Sequence, residues 1–178
     1  MISSIFTQTA ISTMVKNLYL IRHAQAEENT AGKKDVERQL TAKGYQDASK
    51  IGLYFKEKGF HPDIIVHSYA ERTTETVDRI NEQLGVDADH IESSEDMYEA
   101  SARILLRIIS EIPAEMRSAI IVAHNPSITY LAEYITGAEI GNVQTAGIVH
   151  VQIPFTSWQE VSEKNCDFIA YISPEEIH

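Results

Sequence analysis

Arg22 and His23 stand side by side where an apolar run turns polar, in the stretch "YLIRHAQAE" from Tyr19 to Glu27. The same residue types recur at two later positions of the same kind. His67-Ser68 closes the apolar run "PDIIVHS", with Arg72 four residues beyond Ser68. His124-Asn125 closes the apolar run "SAIIVAH". Guanidinium groups keep their charge at any working pH, and their planar forks pair with oxyanions in bidentate fashion. A neutral imidazole is a nucleophile, and flanking cations favour that neutral form. Two arginines and two or more histidines brought to one place would bind a phosphoryl group. One imidazole could then attack phosphorus in line, and water would hydrolyse the resulting phosphohistidine. Fixed arginines would meet the charge that spreads over the equatorial oxygens, with no metal required.

For these residues to meet, the chain must bring distant strand ends together. "VKNLYLIR" reads as a short buried strand, and "AQAEENTAGKKDVERQ" as a loop. "LTAKGYQDASKIGLYFKEKGF" reads as a helix with Thr41 as N-cap, a face of Ala48, Ile51 and Phe55, and a stop at Gly59. "PDIIVHS" is a second strand. The helix "YAERTTETVDRINEQLG" follows, with Ser68 as its cap and Gly85 as its end. A short strand is expected around Ile91. Next come an amphipathic helix with Ala102, Leu105, Leu106 and Ile109 on one face, stopped by Pro113, and the strand "SAIIVAH". A helix with Pro126 in its first turn and Gly137 at its end precedes two last strands, "AGIVHVQI" and "CDFIAYIS".

This β-α-β-α-β-α-β-α-β-β order predicts an α/β fold with a mainly parallel sheet and helices on both faces. In such sheets ligands bind beyond the carboxyl ends of the strands, where helix N-termini add N–H donors. The strand ends holding Arg22-His23, His67-Ser68 and His124-Asn125 are therefore the expected site.

The chain has 178 residues and a formal net charge of −11. That length suits one domain with a core of its own. The acidic balance argues against a nucleic-acid partner and requires the few cations to be focused at one place. No apolar run is long enough to span a bilayer. The single cysteine, Cys166, rules out an internal disulfide framework and fits a reducing cytoplasm. The opening "MISSIFTQTAISTMV" lacks the basic start of a secretory signal. Met14, just before "VKNLYLIRHA", is expected to be the native start, which makes residues 1–13 an N-terminal extension and residues 14–178 the domain.

"LYLIRHAQAE", "ERQLTAKG", "SYAERTTETV" and "IIVAHNPSITYLAEYITG" together resemble the histidine phosphatase superfamily, in particular its small SixA-like phosphohistidine phosphatase branch. The resemblance covers roughly Val15 to Ile153. It implies a three-layer α/β/α sandwich of the phosphoglycerate mutase-like type. His23 then matches the nucleophile, and Arg22, Arg72 and His124 match the rest of the phosphate pocket. Asn29 falls where related mutases carry a phosphate-contacting asparagine, and Glu99 lies in about the region that supplies a general acid. No cofactor is implied. Two departures stand out: Ala24 follows the Arg-His pair where glycine is common, and "HSYAER" stands where "SSPAxR" is usual.

Rival chemistries leave no trace. No arginine follows Cys166, so a cysteine-phosphatase loop is absent, as are a GxxxxGK[ST] loop and an HExxH pair. The expected activity is a metal-independent phosphatase acting on phosphohistidine proteins. A small-molecule phosphomonoesterase and a non-catalytic phosphate-recognition module are the alternatives. The expected partner is the substrate, a phosphohistidine protein or a small phosphate ester, with neither nucleic acid nor membrane. His67 is left between lining the site and packing, while His61, His90, His150 and His178 are expected to have no functional part.

Overall fold

A computed structural model describes residues 15–177. The proposed extension, Met14 as a start site and His178 lie outside the described residues. Six strands form one sheet: β1 (Lys16–Arg22), β2 (Ile64–Ser68), β3 (Ile91–Ser94), β4 (Ser118–Ala123), β5 (Ile148–Ile153) and β6 (Asp167–Ile172). Four helices join them: α1 (Ala42–Glu57), α2 (Glu71–Leu84), α3 (Ala102–Glu111) and α4 (Ser127–Thr136).

The sheet order is β3-β2-β4-β1-β5-β6, with β1, β2, β3 and β4 parallel and β5 antiparallel to both its neighbours. Central strands buried on both faces are mostly apolar, and β2 and β4 are buried at every position, with polar residues only at His67, Ser68 and Ser118 near their ends. Alternate residues feed two cores. Leu18, Leu20, Val66 and Ile121 pack against Leu105 and Ile109 of α3 and Leu131 and Ile135 of α4. Ile21, Ile65, Ile120 and Val122 pack against Ile51 and Phe55 of α1 and Val77 and Ile80 of α2. Each large apolar side chain buried in this way contributes about 1.5–3 kcal/mol. The result is the expected three-layer sandwich.

Local signals explain the helix ends. Thr41 accepts from the Gly44 N–H and caps α1, while Gly85 and Gly137 close α2 and α4 in the left-handed conformation. Gly59, at φ +63 directly after the Lys58 cap, stops α1 as expected. Two details differ from the sequence reading. Pro126 sits at the N-cap of α4, ahead of its first turn. Ala70, with no side-chain bond, stands at the N-cap of α2 in place of Ser68, whose hydroxyl is engaged elsewhere.

Candidate active site

β2, β4 and β1 are consecutive in the sheet, so their carboxyl ends lie side by side. Arg22 is level with Ala123, and His67 is level with Val122. His23 and His124 are each the next residue along their strands, and Ser68 closes β2 beside them. The imidazoles of His23 and His124 lie 5.2 Å apart, centroid to centroid. Arg72 arrives in the first turn of α2, directly after β2.

Backbone bonds lock the strand-β1 exit. The His23 N–H donates to the Ala123 carbonyl at 3.0 Å, and the Ala146 N–H reaches the Arg22 and His23 carbonyls at 3.1 and 3.2 Å. The Ala24 N–H donates to the Thr76 hydroxyl at 3.0 Å, and that hydroxyl donates to the Arg72 carbonyl at 2.6 Å. One threonine, a helical turn beyond Arg72, thus ties the His23 loop to the helix that carries Arg72. Ala24 is itself fully buried. A close approach also fixes the loop from the other side. A Cβ on Gly44 would lie 2.1 Å from the Gln25 carbonyl oxygen, so only glycine lets α1 start here.

His23 is 9% exposed. Its Nδ1 lies 2.8 Å from the Ala24 carbonyl oxygen, which can only accept, so Nδ1 carries the proton. In the neutral ring Nε2 then holds the lone pair. Burial, reinforced by His124, Arg72 and Arg22, pushes the His23 pKa down to about 3. His124 is pushed down to about 4, first by burial and then by Arg72. His124 Nε2 lies 2.9 Å from the Ser68 hydroxyl oxygen, which also accepts the Ala70 N–H at 3.4 Å. The Ser68 proton is thereby free to be given to Nε2, which leaves Nδ1–H as the donor on the opposite edge of the ring.

Arg22 donates from Nη1 to the Val143 carbonyl at 3.0 Å, a carbonyl that also accepts from Asn125 at 2.9 Å. Arg72 donates from Nη1 to the Asp35 backbone carbonyl at 2.8 Å and from Nη2 to the Asp35 carboxylate at 3.0 Å. Tyr98 donates to the same carboxylate at 2.9 Å, and its ring stands edge-on to His124 with centroids 5.9 Å apart. Among the described residues three buried side-chain polar atoms have no hydrogen-bond partner: Arg22 Nε, Arg72 Nε and His124 Nδ1. All three belong to residues gathered around His23. Unpaired buried donors are costly, so such a cluster marks a place built for an acceptor, and its shape and charge suit a tetrahedral oxyanion.

The other sequence candidates fare differently. Asn29 is exposed on the loop after β1, and Glu99 is exposed at φ 52 just after Tyr98. Neither has a side-chain hydrogen bond or ion pair to the pocket residues. His67 is buried, bonds the Ser68 carbonyl at 2.8 Å through Nδ1, and is lowered in pKa by burial. It occupies the alternate strand position to Ser68 and has no side-chain bond to Arg22, His23, Arg72 or His124. His150 stacks on Tyr19 at 4.3 Å and bonds Asn17, a packing role. Burial pushes the Cys166 thiol up to about 11, which leaves it inert. Sequence reading missed Asp35, Ser68, Thr76 and Tyr98. The cap position of Ser68 was the one signal available, and it pointed to a different bond.

Residues 18–102 match the family model described as histidine phosphatase superfamily (branch 1). An uncharacterized chloroplastic protein of Arabidopsis thaliana is 27% identical over 163 residues, which span 87% of this chain and 74% of that one. The crystal structure of SixA from Agrobacterium tumefaciens superposes with a TM-score of 0.76 at 24% identity, covering 89% of this chain and 98% of that one. The structure of the protein histidine phosphatase SixA complexed with tungstate gives the same TM-score, 0.76, at 17% identity over 91% and 99% of the two chains. No described helix is long and apolar enough to cross a membrane. The Arg-His pair lies inside the segment that is similar to the histidine phosphatase superfamily, and the sandwich is the fold of the SixA structures.

Proposed function

We propose that this protein is a metal-independent phosphatase that works through a covalent phosphohistidine on His23 and removes phosphate from phosphohistidine proteins. One observation carries the reading: Arg22 Nε, Arg72 Nε and His124 Nδ1, all buried and unpartnered, surround an imidazole whose Nε2 lone pair is free. The phosphoryl oxygens satisfy those donors. His23 Nε2 attacks phosphorus, the bond to the leaving group breaks, and the leaving group departs on the opposite side. The arginines hold the charge that accumulates on the equatorial oxygens. Water then attacks the phosphohistidine, the P–N bond breaks with its electron pair returning to Nε2, and inorganic phosphate leaves.

The leaving group sets the substrate preference. An alkoxide needs a proton from an acid within reach. Glu99 is exposed and makes no hydrogen bond to the pocket residues. An imidazole already protonated on its other nitrogen departs neutral and needs no such acid. Beside the pocket an open groove of about 440 Å³, lined by Lys33, Val36, Glu37, Gln39, Tyr69 and Glu71, gives a protein surface room to approach. Tyr69 of the groove stands edge-on to Tyr98 with centroids 5.6 Å apart, and Tyr98 in turn packs on Arg72 and His124.

The test compares turnover of a phosphohistidine protein with that of a panel of sugar and glycerate phosphates. Faster hydrolysis of the phosphohistidine protein is expected. Clearly faster hydrolysis of the esters would overturn the substrate assignment. Turnover unchanged in His23→Ala would overturn the mechanism. Phosphate binding by wild type with no hydrolysis of any substrate would mark a recognition module.

A further inference from the structure

Asp35 lies in a single 3-10 turn, Asp35–Glu37, within the long loop between β1 and α1. Its carboxylate collects three partners from different parts of the chain. Arg72 Nη2 approaches at 3.0 Å, Arg38 Nη1 at 2.8 Å and the Tyr98 hydroxyl at 2.9 Å. Its backbone carbonyl takes a second bond from Arg72, at 2.8 Å from Nη1. The two bonds to Arg72 therefore cover the outer edge of the guanidinium, the edge formed by its two terminal nitrogens. The side edge, which carries Nε–H, is buried and without a partner.

A guanidinium is planar and rigid, so fixing one edge fixes the direction of the other. An arginine reaching into a pocket from a helix otherwise has several rotamers open to it. Here the backbone carbonyl and the carboxylate of one residue grip the plane at two points. Arg38 and Tyr98 in turn hold that residue in place. The Tyr98 ring also lies 6.0 Å from the Arg72 guanidinium carbon, covering it from the side.

Resting on the phosphatase reading above, we infer that Asp35 is a positioning residue: it grips the outer edge of Arg72 and aims the Nε–H edge at the transferring phosphoryl group. A carboxylate near a phosphate pocket could instead compete with substrate for the arginine. The geometry favours positioning, because Asp35 occupies the edge opposite the unpartnered one. The carboxyl is held down at about 2, chiefly by Arg38 and then by Tyr98 and Arg72, so the grip persists at any working pH.

The test is a double-mutant cycle on the full chain, with Asp35→Ala, Arg72→Lys and the double variant, plus Asp35→Asn. Two quantities are read for each: kcat and KM on an aryl phosphate, and affinity for inorganic phosphate by titration calorimetry. Asp35→Ala is expected to lower kcat by about 10- to 100-fold and to weaken phosphate binding, since misaimed groups cost about that much. Asp35→Asn, which keeps the backbone bond and one acceptor, is expected to fall between wild type and alanine. In the Arg72→Lys background the further loss from Asp35→Ala is expected to stay below about threefold, because an ammonium has no edge to aim. A rise in kcat or phosphate affinity on removing Asp35 would show a competing carboxylate and overturn the inference. An equal loss in both backgrounds would show an effect through Arg38 or Tyr98 alone and overturn it too. Wild type inert toward every phosphate substrate would sink the phosphatase reading, while the Arg72-dependent change in phosphate affinity would still report on Asp35.

Discussion

Acidification should destabilise this protein through His23, and the size of the effect follows from burial. The folded His23 pKa is near 3, below its ordinary value of 6.5, because burial and then the neighbouring His124, Arg72 and Arg22 oppose the charged form. The unfolded chain therefore binds a proton that the folded chain refuses. Stability from this group is flat above the unfolded value and is lost as pH falls below it, until the folded value is reached. At about pH 5 the folded ring is still neutral, so the loss depends only on the unfolded pKa. That interval of about 1.5 pH units, at about 1.36 kcal/mol each, costs about 2 kcal/mol. His23→Asn removes the titration while keeping a side chain of polar character. Urea unfolding at about pH 7 and about pH 5, at fixed ionic strength, isolates the term. Wild type is expected to lose about 2 kcal/mol more than the variant between the two conditions. Carboxylates such as Asp35 titrate lower and are common to both proteins. Equal losses would mean that folded His23 is protonated at the lower pH, and the account of a neutral, buried nucleophile would fail.

Other perturbations probe separate links. Gly44→Ala should destabilise the fold by about 3 kcal/mol in urea unfolding, because the new methyl meets a carbonyl oxygen of the neighbouring loop; a loss below about 1 kcal/mol would show that α1 can shift freely. Ser68→Ala strands His124 Nε2 and should cut kcat by about tenfold. The imidazole nitrogen resonances of His124 should move with it, and an unchanged tautomer would refute the assigned donor. Glu99→Gln should change phosphohistidine turnover by less than about twofold, since no proton is needed there; a large fall would establish Glu99 as a working acid. Thr76→Val cuts the tie between the His23 loop and α2, and should lower kcat while leaving helix content unchanged by circular dichroism.

The elements and both sandwich faces could be read from the chain because their signals are local. Apolar runs of strand length, helix faces such as Ala48-Ile51-Phe55, and stops at Gly85, Pro113 and Gly137 depend on neighbours in sequence. Arg22, His23, Arg72 and His124 could be picked out as candidates because each lies at or just past a strand end, where a parallel sheet gathers its chemistry, and the structure brings the four together. Ser68 was misread because a serine before a helix is ordinarily a cap, and only the neighbouring strand's His124 competes for its hydroxyl. Asp35 sits in a polar loop without periodicity, and the partners that tie it to the pocket, Arg72 and Tyr98, lie 37 and 63 residues away. Nothing in that stretch of sequence distinguishes it from Glu27, Glu28 or Glu37. A residue that works by gripping another side chain leaves no pattern of its own.

The net charge of −11 and a pocket for anions are compatible because the site separates charge from water. Exposed carboxylates over most of the surface are screened within about 10 Å at ordinary salt, so they act weakly on a buried phosphoryl group. Arg72, at 6% exposed, and His23, at 9%, lie where screening is least and each guanidinium counts most. The same burial that strengthens the arginines drives the proton from His23. In the proposed mechanism, binding of the anion and activation of the nucleophile thus have one physical source, and a change that lets water into the pocket should weaken both together. Tyr98 is the residue to open: its ring packs on both Arg72 and His124, and its hydroxyl braces Asp35. In Tyr98→Ala the His23 pKa should rise toward its ordinary value while phosphate affinity falls, read by histidine NMR titration and by calorimetry on the same sample. Movement of one without the other would show that the two effects have separate origins.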